Sequence, residues 1–184
     1  MSALRFEGYV IVSGNGMLAD ASGVMPDSLK FPGDQQFFND ALDRTSLIVH
    51  GRNSFEDQPN SPQRKRIVLT RQIDGIAPDP TNAKATLWNP AGATFEQACT
   101  YADVTHGTIA IIGGPIVFGM FMDRLDTFWL SEAPHVIVPN GQGCFPNVPA
   151  QSPREVLASY GLKAAETRAL DVANDVTVTA WRRS

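Results

Sequence analysis

Short apolar runs rich in β-branched residues recur along the chain, and stretches with helical spacing separate several of them. Such runs, when bounded by turn-forming residues, predict buried β-strands, whereas apolar residues three and four apart predict helices. The predicted helices cover about 33–44, 94–103 and 115–122. The predicted strands are YVIVS (9–13), SLIVHG (46–51), RIVLT (66–70), TIAIIGG (108–114), DTFWLS (126–131), HVIVP (135–139) and DVTVTAW (175–181).

The order of these elements predicts an α/β fold. Continuous apolar strands joined through helices form a mainly parallel sheet that is covered on both faces. Near the end of the chain, YGLKAAETRAL and DVTVTAWRR are separated only by DVAN, which predicts an antiparallel hairpin at the sheet edge. Residues 140–155 are rich in Gly, Pro and Asn and predict a surface loop. No repeat or long linker divides the chain, so we expect one domain over residues 1–184 with a mixed sheet.

Composition narrows the class of protein. The 184 residues are 43% apolar and 18% charged, as in globular domains, and no window approaches the ~18 apolar residues of a membrane span. A net charge of −4 with scattered basic residues disfavours nucleic acid and anionic membranes as partners. We expect a reduced, cytoplasmic protein that binds a small molecule, and the hairpin at a sheet edge offers a surface for a homodimer.

Metal and hydrolase chemistry find little support. The cysteines Cys99 and Cys144 lie far apart and lack the spacing of zinc ligands, so only a lone disulfide stays open. The three histidines stand singly, without a G-x-S-x-G motif or a reactive-cysteine context. His50 ends an apolar strand, where we expect a satisfied core or cofactor-shell histidine rather than a base.

Three predicted strands end in residues suited to an anionic cofactor, since ligands of open α/β sheets bind at the carboxyl ends of the strands. One strand ends at Gly51 and is followed by a guanidinium, an amide and a hydroxyl, and the next ends in Thr70 and Arg71. The third ends in Ile112, Gly113 and Gly114, then Pro115 at a helix start. Adjacent glycines let a phosphate or a ring approach the backbone, although a plain tight turn has the same pattern. The three residues after Gly51 are Arg52, Asn53 and Ser54.

Two segments could serve a substrate. SGNGMLADASGVMP, at 13–26, combines flexible glycines with apolar residues, as a mobile lid over a reacting centre would. In FPGDQQFFNDAL, at 31–42, Asp34 lies on the same helix face as Phe38, an apolar face on which a carboxylate is unexpected. An acid in the first helical turn also stabilises the helix end, so Asp34 has both a structural and a chemical interpretation.

Taken in order, these motifs resemble those of the dihydrofolate reductases and their relatives, which include the pyrimidine reductases of riboflavin synthesis. GVMP (23–26) resembles the Met-Pro after the flexible loop, and FPGDQQFF (31–38) resembles the helix with the active-site acid. VHGRNSFE (49–56), RKRIVLTR (64–71) and IIGGPIVFGMFM (111–122) are similar to the cofactor motifs. FWLSE (128–132), followed by GCFPNV (143–148), resembles a later strand and a Phe-Pro segment.

The resemblance implies an NADPH-dependent reductase that delivers a hydride to a C=N bond of a pteridine-like ring. Asp34 and Ser131 would be the catalytic residues, with Asp34 holding an amidine-like ring edge through a charge-assisted pair of hydrogen bonds. Met25 and Phe38 would contact the substrate, and Arg64 stands where the family binds the folate carboxylate. The resemblance implies the following cofactor-binding residues: Gly51, Arg52, Asn53, Ser54, Thr70, Arg71, Ile112, Gly113, Gly114, Ile116, Val117 and Phe118.

Departures from the family pattern leave the substrate open. DSLKF follows Met25-Pro26 where the dihydrofolate reductases usually have Trp, and EDQPNSPQ (56–63) is polar where folate would need apolar cover. An aminopyrimidine carrying ribosyl phosphate is the alternative substrate, with Arg5, Lys30 or Arg64 as candidate phosphate ligands. VSGNGMLA resembles the motif expected in the riboflavin-pathway enzymes only weakly. A non-catalytic NADP-binding module is a further alternative.

Overall fold

The computed structural model describes residues 4–54 and 56–184. Phe55, the aromatic position of the GRNSF motif, therefore lies outside the described residues. The helices are α1 (Pro32–Asp43), α2 (Phe95–Tyr101), α3 (Pro115–Phe121) and α4 (Pro153–Ser159). The strands are β1 (Leu4–Ser13), β2 (Met17–Ala19), β3 (Leu47–Gly51), β4 (Arg66–Leu69), β5 (Ile76–Asp79), β6 (Asn82–Trp88), β7 (Gly107–Ile111), β8 (Thr127–Ala133), β9 (Gln142–Gly143), β10 (Leu162–Asp171) and β11 (Val176–Arg183).

Nine of the described strands form one mixed sheet in the order β10-β11-β8-β1-β7-β3-β4-β6-β5. The strands from β8 to β6 in this order run parallel to their neighbours, whereas β5, β10 and β11 pair antiparallel. The predicted α/β fold, its mainly parallel sheet and its carboxyl-terminal hairpin are confirmed. The three predicted helices are present within two residues of their expected bounds.

Side chains alternate across the sheet and divide the core into two layers. On β3, Leu47 and Val49 belong to the larger apolar cluster, whereas Ile48 between them belongs to the smaller one. The smaller cluster packs under α1 through Ala41 and Leu42. Helices α2, α3 and α4 contribute their buried side chains to the larger cluster, so helices cover both faces, as burial of a parallel sheet requires.

The segment 135–139 is not a strand, and that prediction is wrong. Val136 and Val138 are more buried than Ile137, which mimics strand alternation, but the segment pairs with a loop rather than with a sheet. Gly14 N donates to Val136 O at 2.6 Å, and the Asn15 side chain bonds both backbone groups of Val138. The apolar alternation therefore reports burial against a loop.

The hairpin of β5 and β6 and the helix α4 were not predicted, and neither were the short strands β2 and β9. The strands β5 and β6 form a hairpin at the far edge of the sheet, where Pro78 is tolerated because an edge strand leaves part of its backbone unpaired. Helix α4 begins at Pro153, inside the stretch expected to be a loop. Its signal was Ser152 with Glu155 three residues later, which form a capping box.

The proposed lid is more ordered than its glycines suggest. Strand β2 pairs with β9, Met17 N donates to the Ser13 hydroxyl at 3.0 Å, and Cys144 N donates to Gly16 O at 3.1 Å. The segment is most exposed around the Asp20 turn, at Ala21, Ser22 and Val24. Cys144 and Cys99 are both free and buried, so the disulfide left open by the sequence does not form. Across residues 4–54 and 56–184, no helix has the length and apolarity needed to cross a membrane.

Gly33 tests how α1 is held in place. An ideal Cβ at Gly33 would lie 2.0 Å from the Leu170 carbonyl oxygen of β10, so a side chain there must push the helix start away. We expect Gly33→Ala to lower the free energy of unfolding by about 1–3 kcal/mol in urea denaturation, despite the better helix propensity of Ala. At Gly75 the nearest atom to an ideal Cβ is 3.5 Å away. Gly75→Ala is therefore the control, and equal stability of the two variants would contradict the prediction.

Candidate active site

Asp34 is a carboxyl group held out of water in the first turn of α1. The helix begins at Pro32 after Phe31, which offers no side-chain cap, and Asp34 is only 7% exposed. Burial raises the pKa of Asp34 to about 6, and a hydrogen bond from the Ser131 hydroxyl opposes that rise. Desolvation therefore outweighs the helix end, which on its own would lower the pKa. The carboxyl group is poised to hold or release a proton near neutral pH.

Ser131 reaches Asp34 from the sheet. It lies in β8, in register with Ile11 of β1, and its hydroxyl is buried against α1. Phe38 follows Asp34 by one helical turn and lies half-buried, with its ring 6.2 Å from that of Tyr9. Met25 is half-buried against the larger apolar cluster. The chain thus joins Asp34 to Ser131 directly and sets Phe38 on the same face of α1.

The predicted cofactor motifs meet at one edge of the sheet. Gly51 N donates to Gly113 O at 2.8 Å, and Ile112 N donates to Val49 O at 3.0 Å, so the ends of β3 and β7 are joined. Gly113 has φ +117°, which side chains rarely adopt, and the Gly113–Gly114 peptide is cis. A Cβ on Gly114 would lie 3.4 Å from the Ser54 hydroxyl oxygen. The two glycines leave a bare stretch of backbone beside that hydroxyl.

Cations flank this edge. Strand β4 lies beside β3 with Gly51 opposite Leu69, which brings Thr70 and Arg71 to the next strand end. The Thr70 hydroxyl accepts a hydrogen bond from Gln72 N at 3.2 Å, whereas Arg52 and Asn53 are exposed. Neither the Arg52 nor the Arg71 guanidinium has a hydrogen-bond or ion-pair partner among the described residues. Their donors are available to an anion.

Helix α3 starts directly at the glycine turn and presents its residues unequally. Ile116 is 71% exposed, whereas Val117 and Phe118 are buried. Val117 lies beneath Gly51, and Phe118 packs against Phe128 with ring centroids 5.3 Å apart. Phe118 therefore supports the turn from the core, and of the three side chains only Ile116 projects to the surface.

Arg64 does not present its guanidinium to a ligand. Its side chain is 7% exposed, and Nη2 donates to Asp43 at 2.6 Å and to Asn39 Oδ1 at 2.7 Å. Nη1 donates to Gln58 at 2.6 Å and to Glu56 at 3.2 Å, and Nε donates to Asp43 at 3.2 Å. An arginine has five N–H donors, and protein acceptors engage all of them. We therefore do not retain Arg64 as a substrate ligand.

One acceptor of Arg64, Glu56, belongs to a buried ionic network that the sequence did not reveal. Glu56 also accepts from Arg66 Nη2 at 2.5 Å and from the Ser61 hydroxyl. Arg66 Nη1 lies 3.2 Å from His50 Nε2, while His50 Nδ1 lies 2.7 Å from Gly51 O. Burial lowers the pKa of His50, which keeps its ring neutral and makes it the satisfied core histidine that was expected. The only sequence signal was the density of charges in 56–66, which a surface loop would share.

The observed strand order, with an acid-bearing helix over one face and a glycine turn at the strand ends, defines the dihydrofolate reductase fold class. One solved neighbour is "Dihydrofolate reductase from Enterococcus faecalis complexed with NADP(H) and RAB-propyl", with 20% identity, TM-score 0.67, and 98% of this chain and 96% of that chain covered. Another, from Shewanella sp. PV-4, is described as a riboflavin biosynthesis protein, with 16% identity, TM-score 0.65, and 98% and 99% covered.

Sequence comparison identifies the family itself. The family model described as Dihydrofolate reductase matches residues 16–177, which is most of the chain. The chain therefore belongs to the dihydrofolate reductase family. A comparison with curated proteins gave no match.

The buried carboxyl group of Asp34 has a stability cost that depends on pH. Its folded-state pKa of about 6 lies above the ordinary value of 3.8, so the folded protein binds the extra proton between these values and loses stability as pH rises through that window. We expect Asp34→Asn to raise the free energy of unfolding by about 1–3 kcal/mol at pH 7–8, with the gain vanishing near pH 4. Urea denaturation across pH measures it.

Asp40→Asn provides the matched control, because Asp40 is an exposed carboxylate on the same helix. We expect it to leave the free energy of unfolding nearly unchanged at every pH. A pH-independent effect of Asp34→Asn would contradict the assignment of a desolvated, titrating carboxyl group.

Proposed function

We propose that this protein is an NADPH-dependent reductase that adds a hydride to a C=N bond of a pteridine-like ring. The observation that carries the proposal is the buried carboxyl of Asp34, with its pKa near 6 and its bond from Ser131. An acid that only stabilises a helix end gains nothing from burial, whereas an acid that protonates a ring nitrogen must carry a proton near neutral pH. Membership of the dihydrofolate reductase family supports this interpretation.

The residues at the sheet edge fit a dinucleotide phosphate. The backbone around Gly113 and Gly114 would take the pyrophosphate closely, since a Cβ at either position would fill that space beside Phe118 or Ser54. Arg52 and Arg71 carry free guanidinium donors, which suit the additional phosphate of NADPH. The cofactor, when bound, supplies the hydride. The Enterococcus neighbour is complexed with NADP(H), which supports this choice of cofactor.

The residues of the chain would do the rest of the chemistry. Asp34, as the ionised acid, offers two oxygens to parallel N–H donors of an aminopyrimidine edge. As the protonated acid, it holds a proton for the ring nitrogen, so that hydride and proton together saturate the C=N bond. Ser131 fixes the carboxyl through its hydroxyl and moderates its pKa. Phe38 and Met25 would supply apolar contact to the ring.

A second candidate is the reduction of an aminopyrimidine, as in riboflavin synthesis, and one observation favours a substrate without the folate tail. All five donors of Arg64 are occupied, so this arginine offers no ligand for a terminal carboxylate. Two of the candidates for a ribosyl phosphate already take part in one ion pair each, Arg5 with Glu7 and Lys30 with Asp27, although both side chains are about half exposed. We therefore place compact dihydropterins first, with dihydrofolate and ribosylated aminopyrimidines as comparisons.

An NADPH-oxidation assay tests the function with these three classes of substrate. We expect turnover of at least one of them, and a loss of kcat/KM of about 100-fold or more in Asp34→Asn near pH 7, because the positioned acid is removed. Asp40→Asn again serves as the control and should match the wild type. A wild type that is stabilised by NADPH but reduces none of these substrates would support the non-catalytic binding module instead.

The pH profile tests the role of Ser131 separately. If protonated Asp34 is the acid, kcat/KM falls as pH rises above about 6. The bond from Ser131 lowers the pKa of Asp34, so Ser131→Ala removes that effect and raises the pKa further. We expect the fall in kcat/KM to begin at a higher pH in Ser131→Ala. A reduced rate with an unmoved profile would mean that Ser131 acts only in packing.

Cofactor selectivity can be measured without any substrate. We expect NADPH to raise Tm more than NADH does, and Arg52→Gln or Arg71→Gln to weaken NADPH binding by about tenfold while changing NADH binding by less than about twofold. Lys163→Gln, an exposed cation on β10, is the control. Equal weakening of both cofactors by the arginine variants would assign these residues to the shared pyrophosphate.

A further inference from the structure

A cleft of about 130 Å³ lies between α1 and the sheet, away from the Asp34 site. It is lined by Glu7 and Thr108 near the starts of β1 and β7, and by Arg44 just after the end of α1. The glycine turn follows the opposite end of β7. Arg44 comes ten residues after Asp34, which is about 15 Å along a helix. The cleft is thus a separate place on the molecule.

Three aromatic rings form an apolar wall of this cleft. Trp129 stacks against Tyr9 with ring centroids 6.5 Å apart and an interplanar angle of 8°, and Phe37 lies 5.6 Å from Trp129. Protein interiors normally close around such rings and leave few voids larger than a water molecule. A cavity of about 150 Å³ is known to hold benzene. The cleft, at about 130 Å³, is slightly smaller than that cavity, which limits an occupant to one ring, and charged side chains line it together with the aromatic ones.

The charges at the cleft are unbalanced. The negative charge of Glu7 is already compensated. Its carboxylate accepts hydrogen bonds from Trp129 Nε1 at 2.7 Å, from Tyr9 Oη at 3.2 Å and from Arg5 Nε at 2.9 Å. Arg44 and Arg168 also line the cleft, and within the described residues neither guanidinium has a hydrogen-bond or ion-pair partner. Two free guanidinium groups thus flank an aromatic wall.

One of these cations is already set against the wall. The Cζ atom of Arg168 lies 4.9 Å from the centre of the Phe37 ring, a cation–π contact that leaves the edge of the guanidinium able to donate. The Cζ atom of Arg182 lies 5.4 Å from the centre of the Trp129 ring, so a ligand ring would have to share the wall with these two side chains. A guanidinium fork fits a planar carboxylate with two parallel hydrogen bonds. A cationic ligand would be repelled by Arg44 and Arg168, and an uncharged ring would leave their donors unused.

We propose that this cleft binds a small aromatic carboxylate, with its ring against Phe37 and Trp129 and its carboxylate between Arg44 and Arg168. The site is independent of the reductase site, because it uses neither Asp34 nor the glycine turn. It is built on both α1 and β10, so an occupant would bridge the end of the helix that carries Asp34 to the edge of the sheet.

Benzoate is the probe, with cyclohexanecarboxylate and inorganic phosphate as comparison ligands, titrated into the full chain without cofactor and followed by calorimetry. We expect saturable benzoate binding, weakened about fivefold or more by Arg44→Gln and by Arg168→Gln, because each variant removes a charge-assisted bond. Lys163→Gln removes an exposed cation from the same strand as Arg168 and should change benzoate binding by less than about twofold. Quenching of tryptophan fluorescence by benzoate, lost in Trp129→Phe, would support the position of the ligand ring beside Trp129.

Three results would overturn the proposal. The first is the absence of saturable benzoate binding by the wild type. The second is equal weakening by Lys163→Gln and Arg168→Gln, which would reduce the effect to general attraction of anions. The third is equal binding of phosphate or cyclohexanecarboxylate, which would remove recognition of the aromatic ring. None of these measurements depends on reductase activity, so failure here and failure of the proposed function are distinguishable.

Discussion

The proposed chemistry depends on one carboxyl group that the fold withholds from water. Asp34 sits in the first turn of a helix, where an ionised acid would ordinarily be favoured, yet burial against the sheet raises its pKa to about 6. The close fit of Gly33 on the backbone of β10 fixes the helix start, and the Ser131 hydroxyl of β8 partly opposes the rise in pKa. Packing of α1 therefore sets the protonation of the acid.

The ionic network under the neighbouring loop solves a different problem. The loop after β3 must hold Arg52 and Ser54 beside the glycine turn, although it contains little regular structure. Glu56 accepts from both Arg64 and Arg66, and His50 links Arg66 to the backbone of Gly51. A buried network of this kind resists rearrangement of the loop, because breaking one partner leaves another charge unpaired. Arg64 therefore has a structural role.

The sequence predicted what depends on local pattern. Helices α1 and α3 followed from apolar spacing and from Pro32 and Pro115 at helix starts, and the turn after β7 followed from its adjacent glycines. The segment 135–139 misled because burial against a loop produces the same alternation as burial in a sheet. The structural role of Arg64 could not be predicted from the sequence for a related reason. Its partners lie up to 25 residues away, and no local signal states that a polar stretch folds inward.

The same limit applies to substrate choice, which is decided by which charges remain unpaired once the chain has folded. Within residues 4–54 and 56–184, Arg52 and Arg71 have no hydrogen-bond or ion-pair partner at the edge where β3 and β4 end, whereas Arg64 donates to acceptors inside the protein. In sequence these three arginines look alike. An arginine that is hydrogen-bonded to buried acceptors would have to break several charge-assisted bonds to reach a ligand. An exposed arginine at the sheet edge breaks none. The distribution of unpaired guanidinium groups therefore favours a phosphate-bearing cofactor and a substrate without a carboxylate tail.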